Sequence, residues 1–271
     1  MKLRHDQIRQ FQREGCLPVQ GFFNASEISA LRGELERFKA EGLLRNVSTE
    51  GDGATHSTQR MNLQICPISP KHSPLMRALP FAPKVVEAIS DLIGSPAIFI
   101  LDQIFLKPGG NGAGTSWHTD NSYFKVQDPA LGTGMWIALH DATVANGTLH
   151  VIPRSHTYEL PHERDPMSDH HIRCYPDESL AVPVELAAGG VLFFNFGILH
   201  STRANTTPNE RAGLALHFVN EKADLGRWRK TSKQQPYISG PCAQRGADAW
   251  DTAAPIWEEA LDHQLLACAR S

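Results

Sequence analysis

The sequence is poor in cysteine, and the cysteines it has are badly placed for cross-linking. Five stand at positions 16, 66, 174, 242 and 268. They are odd in number and never form a Cys-x-x-Cys pair, which argues against a disulfide framework and a zinc ribbon. An excess of one charge is also missing. The 26 basic and 29 acidic side chains leave −3, with no nucleic-acid footprint and no like-charged tail. No apolar run approaches the roughly 20 residues of a membrane span. The opening Met1-Lys-Leu-Arg-His-Asp lacks the apolar centre of a signal peptide. Neither a Gly-x-Ser-x-Gly elbow nor a His-Glu-x-x-His motif occurs, which removes two common hydrolase readings. The remainder is ordinary globular composition, 41% apolar and 20% charged over 271 residues, expected in a reducing, cytoplasmic compartment.

Local chemistry predicts three helices in the first third. One spans His5 to Glu14 and is closed by Gly15. The next follows Asn24, an N-cap with Glu27 three residues on in a capping-box pattern. Its Ile28, Leu31, Leu35 and Phe38 recur at helical spacing, and Gly42 ends it. The third runs from Pro83 to Ile93 and is stopped by Gly94-Ser95-Pro96. From Ala97 the texture changes to short apolar runs separated by turn residues: 97–106, 135–140, 149–152, 181–184, 191–196 and 212–219. These predict an antiparallel sandwich or barrel. A last helix is expected over 256–268 after Pro255. The chain thus reads as a single domain, mainly β with helical additions: helical support over 1–96, a β core over 97–220 and a C-terminal extension over 221–271. Segments 42–60 and 155–180 read as long loops, either lids or plain insertions. Trp228, Trp250 and Trp257 are candidates for core or for an interface.

Chemistry concentrates in Ser116-Trp117-His118-Thr119-Asp120. In a strand, residues i and i+2 share a face, so His118 and Asp120 would present an imidazole and a carboxylate to one point. His200 follows the apolar run from Val191, where a strand end would place it. Two histidines and one carboxylate leave three coordination positions open, which suits oxygen-activating iron(II). His-x-Asp alone is weak among 13 histidines. Context strengthens it: Arg211 opens another predicted strand, and a guanidinium grips the far carboxylate of an iron-chelating keto acid with two hydrogen bonds.

The stretches Lys107-Pro108-Gly109, Trp117 to Phe124, Trp136 to Thr143, Asn146 to His156, His200-Ser201 and Glu210-Arg211-Ala212-Gly213 together resemble the phytanoyl-CoA dioxygenase family. The resemblance covers 107–219 and, more loosely, the N-terminal helices. It implies a double-stranded β-helix, a jelly-roll or cupin-like core, with iron(II) held by His118, Asp120 and His200, 2-oxoglutarate as co-substrate and O2 as oxidant. It also implies Arg211 on the far carboxylate, with Trp136 and Lys107 lining the co-substrate site. Gln103 shares a strand face with Lys107 and joins them. The sequence departs from the Arg-x-Ser pattern found in many such enzymes, so Ser201 or Thr202 is expected to supply the missing hydroxyl. Asp120 keeps the carboxylate that halogenases lose.

The expected outcome is hydroxylation of a small polar metabolite, an aminophosphonate being one candidate. Arg60, Asn62 and Gln64 alternate along an extended segment and are expected to meet it. Asn121 and Tyr123 beside the iron motif join them, with Arg154 and His156 added to the set. Competing readings are a cupin-type isomerase or epimerase using zinc or manganese, and a barrel without chemistry. Neither nucleic acid nor membrane is expected as a partner, and nothing indicates the oligomeric state.

Overall fold

Local sequence chemistry sets the helices. In the computed structural model, which describes residues 2–68, 73–223, 235–243 and 256–269, these are α1 (His5–Glu14), α2 (Ala25–Ala40), α3 (Pro74–Ala78), α4 (Pro83–Ile93), α5 (Asn121–Phe124) and α6 (Trp257–Cys268). Asn24 caps α2, its side chain accepting from the Glu27 amide at 2.9 Å while Glu27 reaches back to the Asn24 amide at 2.8 Å. That exchange satisfies two amides that have no partner within the helix. Left-handed Gly15 closes α1, a conformation that costs glycine nothing.

The strands are β1 (Cys16–Val19), β2 (Arg45–Asn46), β3 (Leu63–Ile65), β4 (Ala97–Lys107), β5 (Thr115–His118), β6 (Gly132–Ala138), β7 (Leu149–Val151), β8 (Glu163–Arg164), β9 (Ile172–Arg173), β10 (Val182–Val184), β11 (Val191–Asn195), β12 (His200–Thr202) and β13 (Arg211–Asn220). They build a seven-stranded sheet, β1-β11-β6-β13-β4-β3-β2, and a four-stranded sheet, β10-β7-β12-β5, with β8-β9 as a separate hairpin. All pairings are antiparallel. This is the expected mainly β, jelly-roll architecture.

Side-chain alternation divides the large sheet between two cores. Ile104, Leu106, Met135, Ile137, Leu214 and Leu216 pack against α2 and α4 residues such as Leu31, Leu35, Val85 and Ile89. The opposite face carries Trp136, Ala138, Leu192, Phe194 and Ala215 toward β7 and its neighbours. Each fully buried leucine or phenylalanine contributes roughly 2 kcal/mol. The helical layer therefore anchors the sheet, leaving its inner face free to carry polar groups.

The expectation of a purely helical N-terminal third needs correction. The N-terminal third is not only helical: β1 pairs with β11, and β2-β3 extend the opposite edge of the sheet. These strands are too short for a clear period-2 signal, and Pro18 on β1 is tolerated because β1 is an edge. The loops 42–60 and 155–180 are one structure. Thr49 N donates to Met167 O at 3.0 Å, Asp169 N to Val47 O at 3.0 Å and Thr49 Oγ1 to Pro166 O at 2.6 Å. Arg45 and His56 both contact Asp169, the latter at 3.1 Å. Trp257 is buried and meets Phe23 edge-on, ring centroids 6.4 Å apart. Trp228 and Trp250 lie outside the described residues. No described helix is long and apolar enough to cross a membrane.

Candidate active site

Between the two sheets lies a cavity of about 380 Å³ with two chemically distinct ends. At one end, β5 and β12 place His118 directly opposite His200, their rings 4.3 Å apart. The chain then leaves the strand. Asp120 has helical backbone angles, and its carbonyl accepts from the Tyr123 and Phe124 amides at 2.9 and 3.1 Å as α5 begins. His118 and Asp120 thus converge through a strand-to-helix turn, not through the strand alternation expected from their spacing. One ligand atom from each of His118, Asp120 and His200 lies within 4.8 Å of the others, and the ligating groups are buried.

Both histidines place Nδ1 on a backbone carbonyl: His118 on Ser116 O at 2.8 Å and His200 on Ile198 O at 3.0 Å. With the proton on Nδ1, each Nε2 lone pair is left for a metal. Burial, and then the neighbouring His200, push the His118 pKa down to about 3. Burial alone would raise the Asp120 carboxyl, but the surrounding imidazoles, His217 foremost, hold it at about 2. Neutral imidazoles and an ionised carboxylate form a donor set that fits iron(II).

The other end holds Lys107 and Arg211, cross-strand partners on β4 and β13. Both are 1% exposed, and neither faces a carboxylate among the described residues. Lys107 Nζ donates to Thr202 Oγ1 at 2.7 Å and to the Arg203 carbonyl. Arg211 Nη2 donates to the Gly147 carbonyl, while its Nε finds no partner. Burial pulls the Arg211 pKa down to about 10, and burial with the nearby Arg211 charge holds Lys107 well below its ordinary value. Ser201 Oγ is buried without a partner, whereas Thr202 Oγ1 is already taken by Lys107 and by the Thr115 amide. Of the two hydroxyls expected to replace the missing serine, Ser201 is the free one. Trp136 lies under the guanidinium, 5.5 Å from ring centroid to Cζ. It fits because position 213 is glycine: a Cβ there would stand 2.3 Å from the indole. Buried cations without an anion are costly, and a carboxylate is the ligand that would complete them.

Of the remaining expected residues, Gln103, Gln64 and Tyr123 line this cavity. Gln64 donates to Gln103 at 3.0 Å, and Tyr123 stands edge-on to His118, accepting through its hydroxyl from the Ile172 amide at 3.0 Å. Others do not reach it. Arg60 turns outward and binds the Thr49 carbonyl at 2.8 Å. Asn62 is buried against Thr115 Oγ1 at 3.2 Å. Asn121 staples the end of α5 to Val126 at 3.0 and 3.2 Å. Asn121 and His156 line a second cavity, bounded also by Thr119 and His162. Arg154 pairs with Glu14 at 3.0 Å. His171 and His217 on the cavity wall were not anticipated. His217 hides in the apolar run Leu214–Val219. Its signal is that it shares the inward face of β13 with Arg211, Gly213 and Ala215.

The family model described as phytanoyl-CoA dioxygenase matches residues 11–213. An ectoine dioxygenase of Bordetella parapertussis is 24% identical over 239 residues, covering 80% of this chain and 75% of that protein. Phytanoyl-CoA dioxygenase 1 of Oryza sativa subsp. japonica is 27% identical over 253 residues, covering 80% and 89%. Among solved structures, the epimerase SnoN in complex with Fe3+, alpha ketoglutarate and nogalamycin RO superposes with a TM-score of 0.69. It is 20% identical, over 90% of this chain and 96% of that one.

Proposed function

The chain belongs to the phytanoyl-CoA dioxygenase family, and on that premise we propose that it is an iron(II)- and 2-oxoglutarate-dependent dioxygenase that hydroxylates a small polar metabolite. One observation carries the reading: a buried His-Asp-His cluster and two buried cations without an anion face one cavity. The first fits iron(II); the second fits the far carboxylate of a keto acid that chelates it.

Iron(II) in this setting supplies oxygen activation coupled to decarboxylation of 2-oxoglutarate, giving succinate, carbon dioxide and an oxidised substrate. The chain's own residues do the rest. Ser116 and Ile198 carbonyls hold the imidazole tautomers of His118 and His200. Arg211, Lys107 and Ser201 bind the far carboxylate, and Trp136 forms the wall beside it. Phe105, Tyr123 and Phe124 line the remaining space and exclude water from the reacting centre. The only Lys or Arg side chains among the described lining residues are Lys107 and Arg211. With Arg60 bonded to Thr49 instead, the substrate half has no lysine or arginine among the described residues to hold a phosphonate.

A cupin-type isomerase would need the metal cluster but would leave Lys107 and Arg211 buried for no purpose. Anaerobic titration of the iron(II) protein with 2-oxoglutarate separates the two. A weak visible charge-transfer band requiring both components is expected. Iron bound normally with no band would move the reading to the isomerase.

A further inference from the structure

We propose that His217 is a positioning residue of the metal centre: its Nε2 faces Asp120 Oδ2, an oxygen without another hydrogen-bond partner, and by donating a proton to it commits Asp120 to the metal through Oδ1 alone. The inference rests on the iron site proposed above. The two carboxylate oxygens have different surroundings. Oδ1 lies 3.7 Å from His200 Nε2, as two donors to one ion would, whereas Oδ2 lies 3.2 Å from His217 Nε2. His217 belongs to none of the elements that carry the ligands. It comes from β13, on the large sheet, and reaches across the cavity to the turn that holds Asp120.

The His217 side chain is 2% exposed. Phe124 and Phe196 flank the ring at centroid distances of 5.2 and 6.1 Å, and Nδ1 has no partner. Among the described residues its one polar contact is Asp120. A leucine or methionine would fill this apolar cage without burying a polar nitrogen, so packing does not explain the imidazole. The consequence is chemical. A carboxylate free to rotate can bind an ion through both oxygens and consume one of the three positions that a bidentate keto acid and oxygen need. A donor on the outer oxygen prevents this, and such partners of metal ligands are worth 10–100-fold in affinity.

The test is titration of the metal-free protein with cobalt(II), whose visible spectrum reports ligand number, alongside iron(II) titration under anaerobic conditions. H217M and H217F remove the donor while filling the cage; H217Q keeps a donor at similar reach. Cobalt(II) and iron(II) binding should weaken about 10–100-fold in H217M and H217F, with a cobalt spectrum shifted toward higher coordination. H217Q should stay close to the parent in both respects. Melting of the metal-free variants tracks packing separately, and where H217F does not fold, the H217M and H217Q pair decides. Parent-like affinity and spectrum in H217M would overturn the assignment, as would an H217Q that fails as badly as H217M. A parent that takes up no metal would overturn the iron reading and this inference together; a parent that binds metal no better than H217M overturns the inference alone.

Discussion

The two ends of the cavity are complementary deficits. The metal end gathers two imidazoles and a carboxylate; the anchor end gathers two buried cations with no anion among the described residues. They are also built differently. The metal end is assembled from short pieces, the ends of β5 and β12 and a one-turn helix, held by backbone carbonyls. The anchor end sits on β4 and β13, the longest strands of the large sheet, and is fixed by cross-strand register. The difference teaches that each end is incomplete alone and is completed by a ligand of opposite sign, so binding at either should be separable by mutation.

The largest test of that separation is Asp120→Ala. It should abolish stoichiometric iron(II) uptake, measured by anaerobic titration, because loss of a ligand exceeds the 10–100-fold typical of its outer partners. Melting of the metal-free protein should change far less. Arg211→Ala comes next. It should raise the 2-oxoglutarate dissociation constant about 30-fold or more, from the 2–5 kcal/mol typical of a truncated buried charge pair, with iron affinity unchanged. If iron binding falls in parallel, the two ends are one unit and the comparison fails. Gly213→Ala should act on the anchor end without touching a charge. The new Cβ would collide with Trp136, at an overpacking cost of roughly 1–3 kcal/mol, seen as a lower melting temperature and weaker 2-oxoglutarate binding.

The smallest effect is a proton. Burial and the Arg211 charge depress the Lys107 pKa in the free protein; an arriving carboxylate raises it. Binding should therefore take up a fraction of a proton, and affinity should rise as pH falls until Lys107 is already charged in the free protein, where the uptake fades. Calorimetry in two buffers of different ionisation enthalpy measures it. Identical enthalpies in both would show that Lys107 does not change its charge on binding. Lys107→Met should remove the buffer dependence.

Much of this was legible in the sequence, and the gaps have physical causes. Local chemistry placed α1 and α4 at their observed ends, and the capping box placed the start of α2, because those signals are carried by adjacent residues. The edge strand β1 was not visible, since a strand of four residues interrupted by Pro18 has no resolvable period. His118, Asp120 and His200 came together as expected, yet for Asp120 the supposed geometry was wrong: a turn does the work assigned to a strand. Arg60 was misplaced because alternation says which residues share a face, not which way that face looks. His217 was missed because a single polar residue in an apolar strand reads as tolerated until the pairing register is known.

That register limits how the sequence can change length. Arg211 and His217 lie three pleats apart on one strand, facing the cavity, and the ladder with β4 stays in step between them and slips only after His217. A strand turns successive side chains to opposite faces. One residue inserted or lost between these positions would therefore turn one of them into the helical layer while hardly altering the overall shape. Insertions and deletions there should be far rarer among viable variants than in β4 at Ile100, the extra residue that the slip between His217 and Phe218 already absorbs.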